Sequence, residues 1–258
     1  MNKLRYPFTC VLQIADMKVP VRLRHCETVQ YFGEHVIPNQ NLRPDLSLKG
    51  LSDMPLPAFV PNAEWNAWLA DGGSDDGYGE YTCSTACVSD ALLTAGRCII
   101  HAVAFRYRGR AWLIAGPSGV GKSTQVKNLQ SFLPGAVDVI CGDRPALQLC
   151  IDGTVFVHPS PWNGKENWKG AEGAALGGLV FLERGEENSF FEIASKDAIF
   201  PLLSSLIHTA ETEENIRDLS CFADAFLKQI PVYRLISHDV PESTRLMLQA
   251  LFLEGGLR

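Results

Sequence analysis

The sequence predicts an α/β fold with a small, mainly β region at its N-terminus, and three observations predict it. After residue 80, strand-like and helix-like patterns alternate along the chain. Within that part, an apolar strand at 111–115 runs into a glycine-rich loop and then into a helix at 125–132. Before residue 80, residues 8–24 alternate apolar and polar side chains, as a β-hairpin does. We therefore divide the chain into a region 1–80 and a domain 81–258.

The elements of the N-terminal region follow from strand-like alternation and from the positions of its proline and glycine residues. Strands at 8–14 and 19–23 form the hairpin. Five prolines in 38–61 predict an irregular segment or short edge strands. Residues 64–69 predict a short helix or strand, and the Gly- and Asp-rich run 71–80 predicts a solvated linker.

The elements of the second part follow from hydrophobic spacing, with period 2 for strands and about 3.6 for helices. Capping residues and glycine or proline breaks set their ends. In chain order they are a helix at 84–96, a strand at 98–107, the strand, loop and helix of 111–132, a strand at 136–141, a hairpin of 146–151 and 154–157, strands at 178–183 and 190–193, helices at 195–209 and 212–230, a strand at 232–237 and a helix at 241–252.

Composition excludes several function classes. A net charge of −6 without a Lys/Arg cluster argues against nucleic acid as a partner. No run of about 18 uncharged apolar residues predicts a membrane span, and no apolar signal segment follows the N-terminus. The eight cysteines are scattered, several within apolar runs, so we expect free thiols in a reducing cytoplasm. A mean hydropathy of +0.01 is typical of a globular protein.

The glycine-rich loop fits the phosphate-binding pattern G-x-x-x-x-G-K-[ST] without a mismatch. By chance the pattern arises in roughly one chain of this length in a hundred, and the alternative is a glycine-rich turn with an incidental lysine. Its backbone amides would cradle the phosphates of a nucleotide, Lys122 would add a cation and the Ser123 hydroxyl would ligate Mg²⁺. The predicted nucleotide-binding residues are Gly116, Ser118, Gly119, Val120, Gly121, Lys122, Ser123 and Thr124.

A phosphate loop gives nucleotide binding but no reaction, so a carboxylate at a neighbouring strand end is needed to hold the metal. Asp143 follows the strand at 136–141 and is the candidate for this second metal ligand and for catalysis, although it could simply open the turn before Pro145. Residues 158–168 concentrate His, Lys, Glu and two Trp after a strand, which indicates either a ligand-binding loop or tryptophans that anchor the loop to the core. His101, in the strand before the loop, is a candidate catalytic residue or a buried core histidine.

These residues together resemble the catalytic core of HPr kinase/phosphorylase. The resemblance covers about residues 97–185 and rests on the run from His101 to Phe105, the turn Arg108-Gly109, the loop from Gly116 to Ser123, the strand end Ile140-Cys141-Gly142-Asp143-Arg144, and the strand 179–183. The segment 161–166, Pro-Trp-x-Gly-Lys-Glu, is more similar to HPr-kinase-like proteins of uncharacterised function, some of them found beside peptide-modifying enzymes. The resemblance implies a P-loop kinase core related to phosphoenolpyruvate carboxykinase, and ATP- and Mg²⁺-dependent phosphorylation of a hydroxyl.

The chain departs from that family at one position of the motif. The family carries two adjacent aspartates, whereas here Gly142 takes the first place and only Asp143 remains. If the missing carboxylate is the base, a substitute is required, and Glu166 is a candidate catalytic residue for that role. Residues 1–80 do not align with the family's N-terminal domain, so its protein substrate is not transferred.

The sequence therefore predicts an ATP-dependent kinase whose acceptor is a hydroxyl of a protein, a peptide or a small molecule. The alternative is an ATP-binding regulatory or accessory module without phosphoryl transfer, which Gly142 favours. A transporter or motor ATPase is disfavoured because no L-S-G-G-Q-type signature follows the loop, and a GTPase because no N-K-x-D motif follows. Kinases of this kind often assemble, so a homo-oligomer is a further expectation that the sequence does not fix.

Overall fold

A computed structural model describes residues 8–37, 63–170, 172–209 and 212–253, so the segment predicted to be irregular at 38–61 lies outside the described residues. The strands are β1 Phe8–Ile14, β2 Met17–Leu23, β3 Val36–Ile37, β4 Arg97–Ile100, β5 Ala102–Tyr107, β6 Arg110–Ala115, β7 Val137–Cys141, β8 Ala146–Leu149, β9 Val155–His158, β10 Ala174–Arg184, β11 Ser189–Glu192, β12 Leu206–Ile207 and β13 Val232–Ser237. The α-helices are α1 Cys26–Phe32, α2 Ala63–Ala70, α3 Asp75–Leu93, α4 Lys122–Phe132, α5 Ser195–Ser205, α6 Glu213–Gln229 and α7 Val240–Leu248.

The N-terminal hairpin is confirmed. β1 pairs antiparallel with β2 from Phe8↔Leu23 to Ile14↔Met17, so Ala15 and Asp16 form a two-residue turn. Both turn residues have positive φ, 47° and 62°, which matches the twist of the paired strands. β3 adds to the other side of β1 and completes a three-stranded sheet.

The linker predicted at 71–80 is wrong from Asp75 onward, because α3 begins there and continues to Leu93. The Ser74 side chain caps this helix by accepting a hydrogen bond from the amide of Gly77. Glu80 is buried and accepts hydrogen bonds from the backbone amides of Arg24 and His25, at 2.6 and 3.0 Å. Tertiary contacts with α1 thus stabilise a helix that the glycines disfavour. The division of the chain at residue 80 falls inside this helix and stays a prediction.

The second part is a mixed α/β structure, as predicted. Its ten-stranded sheet contains the order β12-β4-β8-β9-β10-β6-β5-β7, and β13 pairs with β10 and β11. β10 is the long strand that joins the two halves of the sheet. It is antiparallel to β9 at Ala174 and parallel to β6 from Leu176 onward, with an irregularity between Leu176 and Gly178, and it is also parallel to β13.

The continuous strand predicted at 98–107 is wrong, because it is broken at His101 into β4 and β5. β4 pairs with β8, whereas β5 lies between β6 and β7 and is antiparallel to both. The start of β5 therefore lies at the same sheet edge as the carboxyl ends of β6 and β7. His101 lies at this edge, and its backbone amide donates to the carbonyl of Ser205.

Helices cover both faces of the sheet. Val126 and Leu129 of α4 and Met247 of α7 pack on one face, and Phe222 and Phe226 of α6 pack on the other. Beneath α4, the buried Gln125 side chain donates to Ser243 and accepts from Thr244, which fixes the helix to α7. No helix among the described residues combines the length and apolarity needed to cross a bilayer.

Most remaining elements match the sequence prediction, with differences at helix ends. The helix predicted at 195–209 ends at Ser205, and Leu206 and Ile207 pair with β4 instead. The helix predicted at 212–230 is α6, and Thr212 caps it by accepting from the amide of Asn215. The short segment at 64–69 is part of the helix α2.

Candidate functional site

The phosphate-loop motif connects β6 to α4 as strand, loop and helix. Gly119 and Gly121 have φ of +77° and +114° with open space where a Cβ would lie, so the backbone conformation alone requires glycine there. Gly121 is the N-cap of α4. The first amides of a helix have no partner within the helix, so this end of α4 suits an anion. Ser118 and Thr124 are exposed, and Val120 and Ser123 are half-buried.

Lys122 is buried at the start of α4, with 7% of its surface exposed. Its Nζ donates to the carbonyl oxygens of Gly116 and Pro117, at 2.8 and 3.3 Å, and lies 3.1 Å from Nε2 of His101. Burial lowers the pKa of Lys122, the nearby Asp143 opposes this, and the charge of Lys165 lowers the pKa further. A phosphate oxygen in place of these carbonyl partners would satisfy the desolvated ammonium better.

Asp143 lies beside Lys122 at the same sheet edge. Its Oδ1 is 3.2 Å from Nε2 of His101, and its Oδ2 is 3.1 Å from Nε of Arg144. Burial is the largest influence and raises the pKa of Asp143, but the hydrogen bond from His101 and the charges of Arg144, His101 and Lys122 together bring it below its ordinary value. Asp143 is therefore a carboxylate at neutral pH.

The structure brings together three residues that the sequence indicated separately. Nζ of Lys122 and Oδ1 of Asp143 both lie within hydrogen-bonding distance of Nε2 of His101. One ring nitrogen cannot both accept from Lys122 and donate to Asp143, so the tautomer of His101 decides which contact forms. His101 is 34% exposed at its side chain, so it is not the buried core histidine of the alternative interpretation.

The loop after β9, Pro159–Trp168, packs directly over the end of β7. A Cβ on Gly142 would lie 2.4 Å from the carbonyl oxygen of Asn163, and a Cβ on Gly164 would lie 2.8 Å from Cβ of Asp143. Gly164 also has a positive φ of +65°. The loop backbone therefore fills the space in which a second aspartate, at position 142, would place its side chain.

Glu166, in the loop Pro159–Trp168, contacts the phosphate-loop helix α4. Its carboxylate is 2.7 Å from Nζ of Lys127 in α4, and the same ammonium lies 5.5 Å from the ring centre of Trp168. These contacts link the loop to α4, one turn beyond Lys122. Glu166 thus has a cationic partner of its own, and its role as a substitute base stays a prediction.

Helix α3 supports this loop, which the sequence did not indicate. Trp162 is completely buried, and its Nε1 donates to the carbonyl of Tyr81 in α3 at 3.0 Å. In return, the Tyr81 hydroxyl donates to the carbonyl of Pro161 at 3.2 Å. Arg144 reaches α3 as well, donating to Thr85 at 2.8 Å. For Trp162, the interpretation as an anchor is therefore the correct one.

Ser123 and Asp143 are the predicted Mg²⁺ ligands, and this role stays a prediction. Among the described residues, no three His, Cys, Asp or Glu side chains form a group that could hold a metal ion. Mg²⁺ is often held by one or two carboxylates together with substrate phosphates, and both oxygens of Asp143 already have partners. Mg²⁺ at Asp143 would therefore bind through water or displace His101 or Arg144.

An open cavity of about 420 Å³ lies along the outer edge of β7, away from the phosphate loop. Neither Lys122 nor Asp143 lines it; its lining residues are Arg106, Gln130, Val137, Asp138, Val139, Ile140, Trp168, Lys169, Gly170 and Glu172. The candidate nucleotide site is therefore defined by loop geometry and charge rather than by this cavity.

Comparisons with known proteins give little more. No family model and no curated protein matches the sequence. Among solved structures, the chain is similar to the Hpr(Ser) kinase/phosphatase from Coxiella burnetii, with a TM-score of 0.33 and 12% identity over 61% of this chain and 99% of that chain. The superposition is too loose to assign a family or an activity.

Proposed function

We propose that this protein is an ATP-dependent phosphotransferase that transfers a phosphoryl group to a hydroxyl of a protein, a peptide or a small molecule. One observation carries the proposal: the cation of the phosphate loop, Lys122, lies beside the carboxylate of Asp143 with His101 between them. Phosphoryl transfer needs a cradle for the phosphates and a carboxylate near the transferred group, and it depends on positioning and charge stabilisation.

The phosphates would be held by the loop amides and by Lys122. The positive φ angles of Gly119 and Gly121 and the amides at the start of α4 suit an anion. The buried ammonium of Lys122 would gain a charged partner in a phosphate oxygen. Ser123 and Asp143 would hold Mg²⁺, which neutralises charge on the phosphates when bound.

Asp143 would orient the acceptor hydroxyl by accepting its hydrogen bond, with Glu166 as the alternative. The lowered pKa of Asp143 keeps the carboxylate ionised at neutral pH, so that it can accept a hydrogen bond from the hydroxyl. If Lys122 moved from Nε2 of His101 to a phosphate oxygen, that nitrogen would donate to Asp143 without a competing partner and hold the carboxylate in place.

A second function is favoured by a specific observation, the close approach of Asn163 to Gly142. With that space filled and Glu166 paired with Lys127, Asp143 is the one of the two predicted carboxylates that remains beside Lys122 and His101. An ATP-binding regulatory or accessory module would need no second carboxylate.

The two functions separate in one experiment. The purified chain is incubated with Mg²⁺ and γ-labelled ATP, with and without a panel of hydroxyl-bearing peptides and small molecules, and ATP binding is measured in parallel. Transfer that is lost in Asp143→Asn supports the phosphotransferase. The matched control is Asp138→Asn, on the same strand but 64% exposed and paired with Arg106, which should keep full transfer. Tight ATP binding without transfer supports the module, and no ATP binding by folded protein contradicts both.

A further inference from the structure

The loop Pro159–Trp168 carries an exposed lysine, Lys165, to which the proposed function assigns no role. Lys165 lies between two anchored neighbours. Gly164 packs against Cβ of Asp143, and Glu166 is paired with Lys127 on α4 at 2.7 Å. Lys165 is thus held between the carboxylate at the end of β7 and the phosphate-loop helix.

The charge balance around this position favours an anion. Lys165 is exposed, and within the described ranges its side chain has no ion pair or hydrogen bond. Its charge is felt by the buried Lys122, which places both ammonium groups in one electrostatic environment. Asp143, the carboxylate that acts on Lys122, already has His101 and Arg144 as partners. Lys122 and Lys165 therefore bring two positive charges to a site whose carboxylate is already engaged.

We infer that Lys165 binds the terminal phosphate of a nucleoside triphosphate held by the loop 116–124, opposite Lys122. This inference rests on the proposed function. The amides at the start of α4 suit the inner phosphates, whereas Lys165 directly follows Gly164, which packs against Asp143 on the side where the acceptor hydroxyl would approach. Lys165 therefore distinguishes a triphosphate from a diphosphate and stabilises charge on the transferred group.

The test measures affinity for MgATP and MgADP by calorimetry in the full chain. Lys165→Ala should weaken MgATP binding about tenfold while the Kd for MgADP stays within about twofold, because only ATP carries the contacted phosphate. Lys165→Arg should retain the preference for ATP, since it retains the charge. The matched control is Lys169→Ala, an exposed lysine four residues further on that lines the cavity beside β7, and it should bind both nucleotides like wild type.

The outcomes separate the inference from the proposed function. If wild type binds MgATP and Lys165→Ala binds each nucleotide as tightly as wild type does, the inference is wrong and the nucleotide site stands. An equal loss for ATP and ADP places Lys165 on the inner phosphates and also overturns it. If wild type, shown to be folded by circular dichroism, binds neither nucleotide, the proposed function and the inference fail together.

Discussion

Gly142 and Asn163 approach so closely that a Cβ on Gly142 would lie 2.4 Å from the carbonyl oxygen of Asn163. The obstacle is backbone, so no side-chain rotation relieves it. The absence of a second aspartate at this position is thus coupled to the path of the loop Pro159–Trp168. A carboxylate cannot be added there without moving the loop away from Asp143.

Gly142→Asp should therefore lower the free energy of unfolding by about 1–3 kcal/mol or more, through overpacking, and should not increase phosphoryl transfer. Urea denaturation and the transfer assay measure the two effects. Gly135→Ala is the control, because a Cβ there meets open space and the cost comes only from its φ of +75°. It should lose about 1 kcal/mol and keep nucleotide affinity. A Gly142→Asp protein of wild-type stability would show that the loop is not fixed against β7.

Lys122→Ala should raise the Kd for MgATP by about 100-fold and leave the fold intact. The variant removes charge-assisted hydrogen bonds to the phosphates, whereas in the free protein Lys122 is a desolvated ammonium whose loss should change stability by no more than about 1 kcal/mol. Calorimetry measures the loss of MgATP affinity, and thermal unfolding measures the stability of the variant. Lys169→Ala serves again as the control. Unchanged ATP affinity in folded Lys122→Ala protein would contradict the assignment of the loop.

Asp143→Asn should destabilise the protein by about 1–3 kcal/mol at pH 7, because Arg144 and His101 lose their carboxylate partner. The pKa of Asp143 is lower in the folded state than the ordinary value of about 4. The unfolded state therefore binds the proton more readily, and the stabilisation is fully present above about pH 4 and is lost as the pH falls through the folded pKa.

The difference in unfolding free energy between wild type and Asp143→Asn should accordingly shrink as the pH falls below about 4. Denaturant titrations between pH 7 and pH 3 measure this difference. Asp138→Asn breaks only an exposed pair with Arg106 and should change stability by at most about 1 kcal/mol. A difference that stays constant down to pH 3 would show that the carboxylate of Asp143 is not stabilised by its neighbours.

Trp162→Ala should cost about 3–5 kcal/mol of stability, because it opens a cavity between α3 and the loop that covers Gly142. Trp162→Phe retains an aromatic ring in the cluster with Phe32 and Tyr81 and loses the hydrogen bond to the Tyr81 carbonyl. It should cost less than half as much. Urea midpoints compare the two variants, and an equal midpoint for Trp162→Ala and wild type would mean that Trp162 does not anchor the loop.

The sequence predicted the secondary structure correctly where interactions between residues close in sequence determine it. The hairpin at 8–23 follows from alternation around a short turn, and α6 follows from helical spacing with a capping threonine. The strand–loop–helix around Lys122 follows from an apolar run, glycines that must adopt positive φ, and a helix start. Each of these signals lies within about two dozen consecutive residues.

The sequence alone thus determined the strand–loop–helix element around Lys122 and the α/β class, and it supplied the candidate residues His101, Lys122 and Asp143. Only the tertiary structure decided that these three meet, because an antiparallel β5 between β6 and β7 brings its start to their carboxyl ends. It also decided that Asp75 begins a helix and that the loop Pro159–Trp168 covers Gly142. Those outcomes depend on side chains more than 40 residues apart in sequence, such as Glu80 with Arg24 and Trp162 with Tyr81. A pattern of neighbouring residues cannot predict which residue, far away in sequence, will bury a given side chain.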